Sequence, residues 1–207
     1  MGAGKRTCVR IVFLFSIFQF VRISEATSIV SEAYPHRNFQ AFRQFQDENI
    51  CWALASKAII KSLKRKDYLA CEVVGRTRVQ SCCNADNSVR ESCNHGGQGQ
   101  NALRTFGVSV TRVVPNFAGV YATLRSGGLV TLITDMRNSS FGSRAGHESV
   151  IYRAQYLSDG SYTFYVGDSA NGYYSFNSAD LDAKANGTFE YISLDISFTW
   201  EASLYAH

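Results

Sequence analysis

The chain has 207 residues, of which 45% are apolar and 13% aromatic, with two prolines and no low-complexity run. This composition can bury a sizeable core, in one domain or in two small lobes that share a cleft, and it excludes an intrinsically disordered protein. The formal net charge of +4 falls to +1 without residues 1–26, which hold four of the 21 Lys and Arg residues and one of the 17 Asp and Glu residues. No basic stripe that would indicate nucleic-acid binding is left.

Residues 1–26 follow the three-part pattern of a secretory signal peptide. Three basic side chains come first, residues 11–21 form an apolar run with one Gln, and Ser24-Glu25-Ala26 supplies small residues at the two positions that a signal peptidase reads. A membrane-spanning helix needs about 20 apolar residues, so this shorter run favours a cleaved leader over a membrane anchor. We therefore predict secretion, to the extracellular space or the periplasm, with no stable anchor after cleavage.

After an exposed lead-in at 27–45, the hydrophobic pattern predicts helices. Asn49 can cap the first of them, whose inward face has apolar residues at helical spacing, namely Trp52, Ala55, Ile59 and Leu63. Three further helices are predicted, at 68–79, at 98–106 and from the capping residue Asn116 to about residue 127.

The second half of the chain is rich in β-branched and aromatic residues, which predicts strands. Asp159-Gly160 has the composition of a hairpin turn between two of them. The predicted strands are 129–136, 149–157, 162–167, 173–176, 189–196 and 198–204. Helices followed by strands indicate an α+β domain at 46–207, with a helical lobe at about 46–128 and a β lobe at about 129–207.

Cysteine usage points to a reactive thiol. Removal of the leader takes away Cys8 and leaves five cysteines, an odd count that leaves one thiol over in a secreted protein. Cys51 lies in the first turn of the first predicted helix, where free amides and the helix dipole favour an anion. The thiolate is the nucleophilic form of cysteine, but the acids Asp47 and Glu48 oppose the negative charge. A cationic histidine partner is therefore expected.

Four histidines could supply that partner. His36 precedes the predicted core, His207 ends the chain and His95 lies in a cysteine-rich segment. His147 follows a glycine and opens an apolar strand, which is a rigid mount for a base. A lone histidine at such a place is more often structural, so the argument for His147 depends on its expected partners.

A catalytic histidine needs a group that orients its second ring nitrogen. Asp168 ends the strand that follows the predicted hairpin, so pairing of adjacent strands would bring it beside His147, and Asn171 is an alternative for the same role. Gln46, five residues before Cys51, could donate a hydrogen bond to an oxyanion together with the Cys51 backbone amide.

The eight residues QDENICWA at 46–53 resemble the papain-superfamily pattern of a glutamine, a short gap and Cys-Trp-Ala. The spacing is most similar to that of compact bacterial papain-like peptidases, the group that includes bacteriocin-leader peptidases and a type of plant-pathogen effector. The similarity continues through the cysteine-rich segment at 71–107, Gly-His at 146–147 and Val-Gly-Asp at 166–168. It covers residues 46 to about 176.

The resemblance implies a papain-like α+β fold, with an active-site cleft between an N-terminal helical lobe and a C-terminal antiparallel β-sheet lobe. It implies Cys51 as the nucleophile and His147 as the base and then the acid. By the same similarity, Asp168 would orient the imidazole and Gln46 would stabilise the oxyanion.

The sequence departs from that group's pattern at two positions. The group commonly has Asp-Pro at the third site position, whereas Ser169 follows the aspartate here. Glu148, directly after the histidine, is also unusual. Neither change removes a reacting atom, but both bear on the geometry of the site.

If Cys51 is the free thiol, an oxidising compartment would pair the other four cysteines, which are Cys71, Cys82, Cys83 and Cys93. A bond between the adjacent Cys82 and Cys83 would close a strained ring, so Cys71 is expected to pair with one of them and Cys93 with the other. A zinc site built from these cysteines and His95 is the alternative. Adjacent cysteines and a leader favour disulfides, and no metal or other cofactor is predicted.

The leading functional hypothesis is hydrolysis of protein or peptide substrates by a secreted, monomeric cysteine peptidase through an acyl-thioester. Deamidation or acyl transfer at the same site, as in secreted papain-fold toxins and effectors, is a second hypothesis, and a non-catalytic binding module is a third. Residues 27–45 are too few for the long inhibitory propeptide of papain-type zymogens. We therefore expect activity once the chain is folded and oxidised, or control by a separate inhibitor.

Overall fold

The computed structural model describes residues 27–44, 49–136, 145–184, 187–192 and 197–207. Its helices are α1 (Cys51–Lys64), α2 (Ala70–Arg78), α3 (Gly99–Thr105) and α4 (Phe117–Arg125). Its strands are β1 (Ile29–Ala33), β2 (Val110–Val113), β3 (Leu129–Met136), β4 (Ala145–Leu157), β5 (Tyr162–Asp168), β6 (Gly172–Asn177), β7 (Asp182–Ala183), β8 (Phe189–Ile192) and β9 (Ser197–Ala206). None of the helices in this part of the chain is long and apolar enough to cross a membrane.

The described strands form one antiparallel sheet in the order β6-β5-β4-β3-β9-β8-β7. β1 adds to the sheet by pairing with the end of β4, and β2 adds to it by pairing with the end of β9. The first part of β4 pairs with β3, and the pairing with β5 begins at Val150 opposite Gly167. The start of β4 therefore projects beyond the end of β5, which places residue 147 close to residue 168.

The main core lies between the sheet and two helices, α1 and α4. α1 contributes a continuous apolar face to it, because residues three and four apart lie on one side of a helix. α4 packs its buried side chains against β3 and β4. The largest fully buried side chains of this core include Ile59, Leu124, Phe164, Phe198 and Trp200.

A second, smaller cluster holds the N-terminal half of α1 to α2 and α3. Trp52 is its largest side chain and is 2% exposed. Around it lie Val73, Val74, Cys82 and Cys93, all of them buried. The second cluster and the main core both contain side chains of α1, so this helix is packed on both. This packing fixes the position of Cys51, the first residue of α1.

Several predicted local features are confirmed. The architecture is α+β, with most helices before most strands. Asn116 caps α4, since its side chain accepts a hydrogen bond from the Gly119 amide at 2.9 Å. Asp159 and Gly160 form the turn between β4 and β5, where Gly160 has φ +84°, a conformation that favours glycine.

Other predicted features are wrong. Asn49 does not cap α1: the N-cap residue is Ile50, which makes no side-chain capping bond. The segment at 27–45, predicted as an exposed lead-in, contributes β1 to the sheet. Strand β2 has no counterpart in the prediction, and β4 begins at residue 145 rather than 149.

Candidate active site

Cys51 is the first residue of α1 and is half-buried. The first amide hydrogen bonds of the helix run from Ala53 and Leu54 to the Ile50 carbonyl, at 2.8 and 3.0 Å. The amides of the first turn carry the positive end of the helix dipole, and Cys51 lies in that turn. Among the cysteines in the described residues, Cys51 is the one without a disulfide.

His147 contacts the other two members of the predicted site. Its Nε2 lies 2.8 Å from Asp168 Oδ2, and the ring also hydrogen bonds with the Cys51 side chain. Because Nε2 is used by the aspartate, Nδ1 is the ring nitrogen left for the thiol. The structure thus brings Cys51, His147 and Asp168 together in a row, with the imidazole in the middle.

Asp168 is held by backbone amides on its other oxygen. Oδ1 accepts hydrogen bonds from Ala170 N at 2.7 Å and from Asn171 N at 3.0 Å, and the carboxylate is fully buried. Asn171, the alternative partner for the histidine, therefore contributes its amide to Asp168 while its side chain is exposed. The orientation of the imidazole depends on Asp168.

The partners of His147 determine its charge. Burial alone disfavours the imidazolium, but hydrogen bonds and negative charge from Asp168 and Cys51 outweigh it and raise the pKa of His147 to about 10. Burial likewise opposes ionisation of Asp168, yet His147 and the two amides hold the pKa of that carboxyl below its usual range. At neutral pH the pair is an imidazolium and a carboxylate.

Glu148, whose place directly after the histidine is unusual for the papain-like pattern, is half-buried. Its Oε1 accepts a hydrogen bond from the Gly99 amide at 3.1 Å, at the start of α3. Its Oε2 is inaccessible and has no hydrogen-bond partner in the described part of the chain. Burial raises the pKa of this carboxyl to about 7. Its effect is larger than the opposing effects of the hydrogen bond from the Gly99 amide and of the positive charges of His147 and Arg112, which lower the pKa.

The four other cysteines form two disulfides, Cys71–Cys83 and Cys82–Cys93. In the residues that the structure describes, no group of three or more His, Cys, Asp or Glu side chains could hold a metal ion. His95, which the alternative zinc site would have included, instead lies with its Nε2 2.8 Å from Arg78 Nη1.

Gln46, the predicted oxyanion donor, lies outside the described residues. Two residues before it, the Gln44 amide donates to the Ser169 carbonyl at 2.8 Å. The Ser169 hydroxyl donates to Gln44 Oε1 at 3.1 Å. The segment that leads to Gln46 is thereby joined to the residue after Asp168, at the position where the sequence departs from the expected proline.

No family model matches the sequence, and no curated protein matches it. Solved structures do match. One, from work on limited antibody cross-reactivity between the mite allergens Blo t 1 and Der p 1, has a TM-score of 0.51 and 14% identity, over 89% of this chain and 73% of that chain. Another is the bromelain protease from Ananas comosus in complex with the E64 inhibitor, with a TM-score of 0.46 and 17% identity, over 81% of this chain and 93% of that chain.

At these identities the likeness concerns the fold, and it does not reach the bacterial subgroup, which stays a prediction. The four described helices and the large antiparallel sheet agree with the match to the mite-allergen structure. The chain therefore has a papain-like α+β fold.

Proposed function

We propose that the chain is a secreted cysteine peptidase that hydrolyses peptide bonds in protein or peptide substrates. The observation that carries this proposal is the row of Cys51, His147 and Asp168, in which a free thiol at a helix start meets a buried imidazole that is itself held by a buried carboxylate. A nucleophile, a base and an orienting group within hydrogen-bond reach are the requirements of covalent acyl transfer.

In the proposed reaction, the Cys51 thiolate adds to the scissile carbonyl carbon, and the carbonyl electron pair moves to the oxygen. The backbone amide of Cys51 and the side-chain amide of Gln46 donate to that oxyanion. Collapse breaks the C–N bond, and the imidazolium of His147 gives its proton to the leaving amine. A water molecule, deprotonated by His147, then attacks the thioester and releases the acid and the thiol.

Secretion belongs to the same proposal. The leader predicted at residues 1–26 would direct the chain out of the cytosol. Two disulfides in the folded part support an oxidising compartment, because such bonds persist mainly in secreted and extracellular proteins.

The decisive experiment is a comparison of the purified full chain with a Cys51→Ala variant on an unfolded protein substrate, read by mass spectrometry. We expect the wild type to cut the substrate and to be labelled at Cys51 by E64, and the variant to do neither. Both disulfides and the melting temperature should be unchanged, since the substitution replaces a half-buried side chain by a smaller one. His147→Gln should also fail to cut the substrate, and His36→Gln, which removes a histidine that contacts the Gly127 carbonyl, serves as its control.

Mass spectrometry also separates the other reactions of the same site. A mass gain of about one dalton without a cut would mean deamidation, and a cross-linked product would mean transfer of the acyl group to an amine. Cutting that continues in the Cys51→Ala variant would refute the assignment of the nucleophile.

A further inference from the structure

Residues 39–44, here called the 39–44 segment, lie directly against the end of β5. A Cβ added at Gly167 would come within 2.6 Å of the Phe39 ring and 3.0 Å of the Ala41 Cβ, so the backbone of β5 and the segment are in direct contact. The Ala41 amide also donates to the hydroxyl of Tyr173, in β6, at 2.9 Å. The segment therefore contacts both strands of the hairpin that β5 and β6 form.

The 39–44 segment is itself anchored to the rest of the molecule. The Phe39 ring stacks on Tyr152 of β4, with the ring centres 4.8 Å apart and the planes within 4° of parallel. The ammonium group of Lys57, on α1, lies 3.9 Å from the centre of the Phe42 ring, which is a cation–π contact. The segment is thereby fixed to the two elements that carry the candidate nucleophile and its histidine, so its contacts can hold another part of the chain in place.

Gln44, at the end of this segment, makes two hydrogen bonds to Ser169. Its backbone amide donates to the Ser169 carbonyl at 2.8 Å, and its Oε1 accepts from the Ser169 hydroxyl at 3.1 Å. Ser169 is 6% exposed, so little water competes for these bonds. A proline at this position would fix the backbone through its ring, whereas the backbone of a serine depends on contacts of this kind.

Ser169 begins the turn that holds the aspartate of the candidate site. The next two amides, those of Ala170 and Asn171, donate to Asp168 Oδ1 at 2.7 and 3.0 Å. Asp168 Oδ2 accepts from His147 at 2.8 Å. A shift of this turn would therefore move the carboxylate, and the orientation of the imidazole would change with it.

We propose that Gln44 and Ser169 are positioning residues of the candidate site, whose two hydrogen bonds fix the turn at 169–171 and thereby hold Asp168 in line with His147. They act through the aspartate and take no chemical step themselves. Mutation can remove the bond between the two side chains, while the bond between the two backbones remains. The effect on turnover rests on the proposed peptidase function, whereas the effect on the protonation of the imidazole does not.

The kinetic experiment compares Ser169→Ala with Ser169→Thr, which keeps the hydroxyl, on a fluorogenic peptide at neutral pH. We expect Ser169→Ala to lower kcat about fivefold, which is the effect of one lost hydrogen bond, with KM changed less than about twofold. Ser169→Thr should retain the kcat of the wild type, because its hydroxyl can still donate to Gln44. An unchanged kcat in Ser169→Ala would overturn the proposal.

A double-mutant cycle tests whether the two residues act through their shared bond. Gln44→Met removes the acceptor at nearly the same side-chain length and should lower kcat at least as much as Ser169→Ala. When Ser169→Ala is added to Gln44→Met, kcat should fall no further, because the bond between the two side chains is already lost. Losses of kcat that multiply in the double variant would mean that the residues act independently, and the proposal would be wrong.

Two matched variants control for the loss of a hydroxyl or of a side-chain amide away from this turn. Ser161→Ala removes a hydroxyl that donates to Asp159 at 2.7 Å, in the turn between β4 and β5. Gln40→Met removes an amide of the 39–44 segment whose oxygen accepts from Lys61 on α1. Both should keep the kcat of the wild type. A fivefold loss of kcat in either control would contradict a specific role of the turn.

A spectroscopic readout does not depend on catalysis. Against the opposing effect of burial, Asp168 and Cys51 raise the pKa of His147 to about 10. Imidazole ¹⁵N signals follow this protonation, and His147→Gln assigns them. The midpoint of the titration should fall in Ser169→Ala and Gln44→Met, because a carboxylate that is less well fixed stabilises the imidazolium less. A lower midpoint without any peptidase activity would refute the proposed function alone, and unchanged midpoints in both variants would refute the positioning role alone.

Discussion

The buried aspartate of the site uses each oxygen for a different task. Asp168 Oδ2 accepts from His147, while Oδ1 accepts from two backbone amides at 2.7 and 3.0 Å. Both oxygens are therefore acceptors with fixed donors. This arrangement holds the Nε2 proton of His147 and turns Nδ1 toward the thiol, whose proton Nδ1 takes to form the thiolate–imidazolium pair of the proposed reaction.

An asparagine at 168 should damage the site although it has the same shape. Its single oxygen would remain with the two amides, so its NH₂ group would face His147 Nε2 and force that nitrogen to accept. The proton would then sit on Nδ1 toward Cys51, and the neutral imidazole could no longer take a proton from the thiol. We expect Asp168→Asn to lower kcat by about 100-fold or more at neutral pH, measured on a fluorogenic peptide.

The matched control is Asp159→Asn, which changes an aspartate in the exposed turn between β4 and β5 and should leave kcat unchanged. If Asp168→Asn kept near wild-type turnover, the carboxylate would be a simple hydrogen-bond acceptor, and the argument from its two donors would fail.

The three residues of the candidate site could be predicted from the sequence, but two of their neighbours could not. Cys51 stands before Trp-Ala at a predicted helix start, and Asp168 ends a strand one hairpin away from His147, so local patterns sufficed. Arg78 contacts the carbonyls of His95 and Gly96 only because of where α2 ends in space. Glu148, in a polar run, resembles a loop residue in sequence, and its burial results from packing between elements.

At the scale of elements, short strands with distant partners were the hardest to predict. β1 has five residues and pairs with β4, more than 120 residues further along the chain. β2 has four residues and pairs with β9. Such pairing depends on tertiary structure rather than on local periodicity. The longer helices and the hairpin of β4 and β5 were predictable, because their patterns are local.

Glu148 lies where α1, α3 and β4 meet. The side chain lines a recess with Ala55 and Ala58 of α1, and its bonded oxygen faces the first amide of α3. Its pKa is raised from 4.5 to about 7 by burial. As pH rises between these values, the unfolded chain gives up a proton that the folded chain keeps. Rising pH therefore lowers the free energy of unfolding between these two values, and the lower stability persists above about pH 7.

We expect Glu148→Gln to stabilise the protein at alkaline pH, because the amide keeps the bond to Gly99 and carries no charge to bury. The gain in unfolding free energy should be up to about 3 kcal/mol near pH 8 and close to zero near pH 4. Urea denaturation at both pH values measures it. The exposed Glu91→Gln serves as control, and a gain that did not grow with pH would contradict this account.

At the scale of the whole molecule, the two disulfides stand where regular structure is sparse. Between α2 and α3 the regular structure consists of one short 3₁₀ turn, Glu91–Cys93, and one isolated bridge between Cys83 and Val89. Cys71–Cys83 ties this segment to α2, and Cys82–Cys93 closes it within the second core cluster. The sequence could not show whether Cys71 pairs with Cys82 or with Cys83, because the two possible disulfides would close loops of nearly the same length.

Removal of the Cys71–Cys83 bond tests whether this segment is held by covalent links or by packing. The bond closes a loop with a sequence separation of 12, so Cys71→Ala with Cys83→Ala should lower the unfolding free energy by about 3 kcal/mol, mainly because the unfolded chain gains freedom. Urea denaturation gives this value, and the two single variants control for side-chain loss. An unchanged stability would mean that packing suffices.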